Sequence, residues 1–407
     1  MRPAAVGLIL IAALVAAGSS VRGLLSTTVV QILSLAILAG LVEWSRPNCY
    51  WRALNLLAVA IVGLPVLQLL PLVSVLAPPE YDILGLDLPH TLALTASWER
   101  TAEALLFVLP PTILFLVLSR FSEDDFNRLL PFFYLGFLAN IVFGLVQFAA
   151  RSGAELSPGF LPYLASAGFF ANANHFASLM FVGIPLVIYQ FGAVRRPLLS
   201  LVAVIVIVMA SFATRSVAGV FLSVGCALVS YALVLRIKIH WRLLLVATAV
   251  AGMVVLSFNP GNVLEIRADD PLDRTSIWRN TLTAIGAYLP LGSGLGTFDL
   301  VYPGFEAASD IRTSFINHAH NEYLELLLEG GIAAGVLMLA YLVLLLLAMW
   351  RLPKSQLRNA AFCGISFLLI HSAVEYPLRN LSLALVFSVL NAIVFSTNVA
   401  VSRARQR

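Results

Sequence analysis

The segment Asn317-His318-Ala319-His320-Asn321-Glu322 sets two imidazoles and a carboxylate directly ahead of an apolar helix that continues through Glu325 and Glu329. An imidazole at the start of a helix meets the positive end of the helix dipole. That disfavours the protonated ring and suits a neutral nitrogen able to accept a proton. His320 in this position has the chemistry of a general base. Capping the helix or resting at an interface is the plainer role open to both His318 and His320. Glu329 lies nine residues past His320, about 13 Å farther along a helix rising 1.5 Å per residue. A carboxylate carried that far into a membrane needs a partner or a wet cavity.

Several other residues could share this chemistry. Arg215 sits in the stretch Ala213-Thr214-Arg215-Ser216-Val217-Ala218-Gly219, almost too apolar to hold a charge without a counter-ion, although an arginine snorkelling to headgroups fits the same stretch. Asn174-His175 opens an apolar run, where capping is the simple reading. His371 and Glu375 end another such run, one helical turn apart, and could pair with each other; Arg379 follows. Residues 273 to 288 read as an amphipathic helix on the membrane surface, with Ile277, Trp278, Leu282 and Ile285 apolar and Arg274 and Arg279 polar. The run Leu291-Gly292-Ser293-Gly294-Leu295-Gly296-Thr297-Phe298 could cradle a phosphate, but it lacks the preceding strand of a nucleotide fold and reads more simply as a turn. Arg312 is a further cation of the same segment.

The elements that must position these residues are membrane helices. Apolar residues make up 60% of the 407-residue chain and charged residues 11%, with mean hydropathy +0.93, whereas soluble domains carry roughly a quarter charged residues. Apolar runs long enough to cross a bilayer fall near residues 4 to 20, 27 to 44, 53 to 75, 100 to 119, 128 to 150, 172 to 192, 197 to 213, 216 to 235, 242 to 258, 323 to 350, 358 to 375 and 380 to 400. The sequence therefore predicts an all-α polytopic membrane protein of about twelve transmembrane helices. The first stretch is also compatible with a signal peptide; we read it as an uncleaved helix. Placing both termini in the cytoplasm puts most of the 25 Lys and Arg residues on the inner side, among them Arg120, Arg128, Arg195, Arg196, Arg236, Arg351 and Arg358.

That orientation leaves two long outer segments, 76 to 99 and 259 to 320, and collects the candidate residues on one face. The chain divides into a helical part with the first outer segment (1–164), a region holding the candidate residues named above (165–385), and the last helix with a basic tail (386–407). Cys49, Cys226 and Cys363 are too scattered for a disulfide framework or a zinc site. No acidic pattern in an outer loop demands a cation; Asp269, Asp270 and Asp273 lack such spacing. Metal and cofactor are both expected to be absent. The basic residues are dispersed between helices rather than gathered with aromatics, so nucleic acid is not an expected partner, whereas membrane lipids are.

Taken together, these blocks resemble a known family. His320-Asn321 followed after nine residues by Gly331 resembles the signature of the O-antigen ligase and polymerase superfamily of bacterial envelopes. Phe170-Ala171-Asn172-Ala173-Asn174-His175-Phe176-Ala177, Thr214-Arg215-Ser216, Arg274 four residues before Trp278, Leu291 to Phe298, and Glu375-Tyr376-Pro377-Leu378-Arg379 look like its recurring blocks, in order, across residues 165 to 385. The third place after Gly331 departs from the usual pattern and is Ala334. The resemblance implies a C-type-like, metal-independent, inverting glycosyltransferase on the periplasmic face of the inner membrane. Its donor would be an undecaprenyl diphosphate-linked glycan, and its acceptor lipid A core or a growing glycan. His320 would take the acceptor's proton, and Arg215 and Arg274 would meet the diphosphate. Asn174, His175, His318, Asn321, Glu329 and Arg379 would line the substrate site, with Arg312 behind them.

Two other readings stay open at this stage. A solute transporter would also have about twelve helices, although its charges belong near the bilayer midplane rather than at the outer ends. A glycosyltransferase could instead draw its base from Glu80, Asp82, Asp87 or Glu99 in the first outer segment, which also holds His90 and Arg100.

Overall fold

A computed structural model describes residues 2–41, 49–70, 94–149, 167–193, 196–214, 216–235, 274–311, 315–397 and 399. Regular structure among them is helical throughout, and the one strand-like contact is an isolated bridge between Gly18 and Phe170. In chain order the helices are α1 (Arg2–Ala16), α2 (Leu25–Leu41), α3 (Cys49–Leu69), α4 (Trp98–Leu118), α5 (Glu123–Ala149), α6 (Ala173–Ala193), α7 (Pro197–Ala213) and α8 (Val217–Val234). There follow α9 (Arg274–Tyr288), α10 (Phe298–Val301), α11 (Glu322–Arg351), α12 (Gln356–His371) and α13 (Leu381–Phe395), with 3-10 turns at Tyr302–Phe305 and Pro377–Arg379.

Five of the described helices, α4, α5, α6, α8 and α11, are long and apolar enough to cross a membrane. The expected span at 242 to 258 lies outside the described residues, as does most of the segment 76 to 99. The span expected at 358 to 375 is shorter than its apolar pattern suggests: α12 stops at His371, and Ser372 to Val374 turn out of the helix. Glu375 therefore does not sit one helical turn below His371.

Starts of helices follow local chemistry. The side chains of Ser97, Ser216, Asn321, Ser355 and Asn380 each accept a backbone N–H in the first turn of the helix they precede, which satisfies donors that have no partner within the helix. Inside α6, Pro185 removes the N–H that would have met Phe181 O, and the Cys226 thiol donates to that carbonyl instead at 3.2 Å. The enclosed helix α6 packs against α7, α8 and α12, while α1 packs on α5 and α13 on α4. On α11 the residues Ile332, Val336, Leu339, Val343, Leu346 and Trp350 form an exposed stripe at spacings of three and four, the lipid-facing side of a membrane helix.

One irregularity positions the site. Helix α11 is broken at Gly331, whose φ of 58° and ψ of −151° lie outside the helical region. Loss of the helical ladder frees carbonyls at Leu328 and Glu329, and the glycine run fills in: Ser293 N donates to Leu328 O and Gly294 N to Glu329 O, both at 2.9 Å. Gln68 of α3 donates to Glu329 O and accepts from Leu295 N, and Ile332 N reaches Pro290 O. The amides of residues 292 to 295 are thus engaged within the protein and do not form a phosphate cradle.

A Cβ at position 331 would stand 2.3 Å from Pro290 O and 2.5 Å from Leu291 C, both backbone atoms. Gly331→Ala is expected to destabilise the protein by about 3 kcal/mol or more, combining a backbone angle foreign to L-residues with overpacking. Thermal unfolding in detergent measures it, and a variant melting with the wild type would refute this account of the break.

Candidate functional site

Glu375 sits at the centre of the site. Its side chain is 1% exposed, and its two oxygens meet three donors from three parts of the chain. Oε1 is 2.7 Å from Nδ1 of His320. Oε2 accepts from Asn174 Nδ2 at 2.7 Å and from Arg274 Nη2 at 3.2 Å, while Arg274 Nη1 donates to Val374 O at 2.9 Å. Burial alone would raise this carboxyl's pKa. The hydrogen bond from His320 and the charges of His320, His175 and Arg274 outweigh burial and bring it down to about 2.

His320 itself has φ of 49°, the one positive φ outside glycine among the described residues. Histidine enters this left-handed region more readily than most residues but is still strained there. The strain is held on both sides: Glu375 grips Nδ1, and the next residue, Asn321, is fixed as the N-cap of α11, its Oδ1 accepting from Tyr323 N and Leu324 N. With Nδ1–H donated to the carboxylate, Nε2 is left as the accepting nitrogen.

His318 forms a second imidazole–carboxylate pair, Nδ1 to Glu325 Oε1 at 2.7 Å, and the other oxygen of Glu325 accepts from Ala319 N. The Tyr376 ring lies between the imidazoles, with centroids 4.2 Å from His318 and 4.9 Å from both His320 and His175. Burial raises the Tyr376 pKa, so its hydroxyl stays protonated. His175 is fully buried, and neither ring nitrogen has a hydrogen-bond partner.

Beside these pairs, Arg379 sits among three carboxylates of α11: Nη1 lies 2.8 Å from Glu329 and 3.5 Å from Glu325, and Nε lies 3.5 Å from Glu322. Glu329, the carboxylate in need of a partner, thus has Arg379 and also accepts from Phe298 N. Glu322, Glu325 and Glu329, at i, i+3 and i+7, share one helical face.

Most of the residues singled out in the sequence come together: His318, His320, Asn174, His175 and Arg274 around Glu375 and Tyr376, with Glu329 and Arg379 adjoining. Arg215 and Arg312 lie outside the described residues. Arg279 is on the polar side, as expected, and reaches Asp310 at 2.9 Å. Two expectations are corrected, and both concern packing. His371 does not pair with Glu375; its Nδ1 lies 2.9 Å from Ser178 Oγ. Helix α9 presents Ile277, Thr281, Ala284, Ile285 and Tyr288 to the protein, packing on α11, whereas Leu282 is 55% exposed. Trp278 belongs to the protein side too, donating to Ala319 O.

The residues whose importance the sequence understated are Glu375 and Tyr376. Nothing in their local pattern marks a hub that depends on contacts roughly 55 and 200 positions away. The spacing of Glu322, Glu325 and Glu329 was the available signal for the Arg379 cluster. Among the described residues, no group of three or more His, Cys, Asp or Glu side chains could hold a metal ion.

No curated protein matches the chain. Residues 199–339, which include most of α7, all of α8 and α9, the glycine run, His320 and the break at Gly331, match the family model described as O-Antigen ligase, which supports the resemblance of this region to the O-antigen ligase and polymerase superfamily, whose members are membrane glycosyltransferase-like enzymes.

Proposed function

We propose that the protein is an inverting glycosyltransferase of the bacterial inner membrane, working on its periplasmic face. In this reading about twelve helices span the membrane, both termini are cytoplasmic, and a glycan passes from undecaprenyl diphosphate to an acceptor hydroxyl, with lipid A core as the first-choice acceptor. The observation that supports it best is His320 held by Glu375, with Arg274 on the same carboxylate.

Held in this way, Nε2 of His320 takes the proton of the acceptor hydroxyl as its oxygen attacks the anomeric carbon. The bond from that carbon to the diphosphate breaks, and its electron pair leaves with the phosphate oxygen. A planar guanidinium suits the charge that develops there. Arg274, whose side chain is 35% exposed, supplies it, with Arg215 as second cation. Glu375 remains ionised and stabilises the imidazolium until the proton departs.

The test is transfer from a defined undecaprenyl diphosphate glycan to core lipid by purified protein. Transfer is expected to survive a chelator, and Arg274→Ala is expected to lower it about 10² to 10³-fold, the range found on removing a donor aimed at developing charge. Inhibition by chelator would overturn the metal-free step. Longer carrier-linked chains in place of glycosylated core would make the protein a polymerase with the same site.

A further inference from the structure

A cavity of about 370 Å³ runs between α3, α4, α11 and α13. Its walls are apolar, with Leu57, Ile61, Phe107, Leu337, Met338 and Phe387 among them. It extends from Glu322 to Tyr341, twenty residues of α11 and thus roughly 28 Å of helix less the break at Gly331. Such a slot suits a chain rather than a compact solute.

Most of its polar side chains satisfy one another or the backbone. Tyr341 donates to Asn391 at 2.8 Å, Ser388 to Ala384 O at 3.0 Å, Thr112 to Val108 O at 2.7 Å and Tyr323 to Leu369 O. Two are exceptions, and both lie at the Glu322 end: Arg379 Nη2 and Ser372 Oγ are buried and make no hydrogen bond. Ser372 is 1% exposed. Buried polar groups are rarely left unpaired, and each such group costs free energy until something pairs with it.

Arg379 Nη2 can only donate and the Ser372 hydroxyl can donate beside it, so the missing partner is an acceptor at one end of a long apolar body. Charge decides which. Three carboxylates already surround the one guanidinium of Arg379, and a diphosphate would enter surplus negative charge. A neutral carbonyl oxygen meets no such penalty. We propose that the slot holds one acyl chain of a glycerophospholipid from the surrounding bilayer, its ester carbonyl accepting from Arg379 Nη2 and Ser372 Oγ. Phospholipid is the solvent of these helices, so modest affinity keeps the slot filled.

Native mass spectrometry of the full-length protein in detergent, with dioleoyl phosphatidylethanolamine as probe, tests it. One lipid should stay bound per chain, and the diether analogue, which has no carbonyl, should bind roughly five- to a hundredfold more weakly, the worth of two hydrogen bonds. Ser372→Ala should shrink that ester-to-ether difference, and Leu337→Trp should empty the slot while the protein stays folded. Equal binding of ester and ether lipids overturns the proposal, as does displacement of the ester lipid by undecaprenyl phosphate or retention of the lipid by Leu337→Trp. Should Leu337→Trp fail to fold, the comparison of ester with ether on the wild type decides.

Discussion

His320→Ala is expected to lower the rate of glycan transfer by about 10² to 10⁴-fold, the usual contribution of a positioned general base. The loss should fall on kcat, because Nε2 acts on the proton only as the new bond forms, and uniform binding of donor and acceptor is untouched. A merely structural role would also depress activity on truncation, so a second variant is needed. Asn adopts left-handed backbone more readily than most residues and can still donate to Glu375, but its amide has no nitrogen able to take a proton. His320→Asn should therefore fold like the wild type and transfer as poorly as His320→Ala. If His320→Asn restores transfer, the imidazole is a spacer and not a base. If His320→Ala itself retains full activity, the base lies elsewhere, and Asp82 and Asp87 in the first outer segment are the next residues to change.

The position of His320 was legible in the sequence because a chemical residue directly ahead of a helix cap is a local pattern. Helix starts, the lipid-facing stripe of α11 and the shared face of Glu322, Glu325 and Glu329 were legible for the same reason: they repeat at three and four residues along one helix. The break at Gly331 was visible only as a motif position. Its cause is the glycine run, whose amides occupy the carbonyls of Leu328 and Glu329, and no periodicity links residues 292 to 295 with 328 to 332. Hydropathy also overran α12, because Ala373 and Val374 extend the apolar run although the backbone has already turned. That overrun hid Glu375: read as part of a helix it pairs with His371, and read as a turn residue it is free to gather His320, Asn174 and Arg274. The apolar face of α9 was misjudged in a related way, since Leu282 satisfies the amphipathic pattern but the face that packs on α11 is set by Ile277, Ala284 and Tyr288.

Glu375→Gln is expected to cost nearly as much transfer as losing the imidazole, although it changes one atom. The carboxylate receives His320 Nδ1 on one oxygen and both Asn174 Nδ2 and Arg274 Nη2 on the other. A glutamine must turn its NH₂ toward one of these sides. Facing Asn174 and Arg274 it would set donors against two donors, one of them charged, so the oxygen stays there and the NH₂ turns to His320. Nδ1 must then accept, the ring proton moves to Nε2, and the nitrogen that should take the acceptor's proton already holds one. The rate should fall by about 10² to 10⁴-fold with folding retained, the consequence of a wrong tautomer rather than a lost contact. Acid stability separates this variant from the wild type. Because the folded carboxyl is depressed from 4.5 to about 2, its ionisation stabilises the wild type fully above pH 4.5, and that stabilisation is lost as the pH falls toward 2. Glu375→Gln has no such ionisation and should lose less stability over the same acid range. Wild-type transfer rates in Glu375→Gln would mean that the imidazole tautomer is not set by this carboxylate.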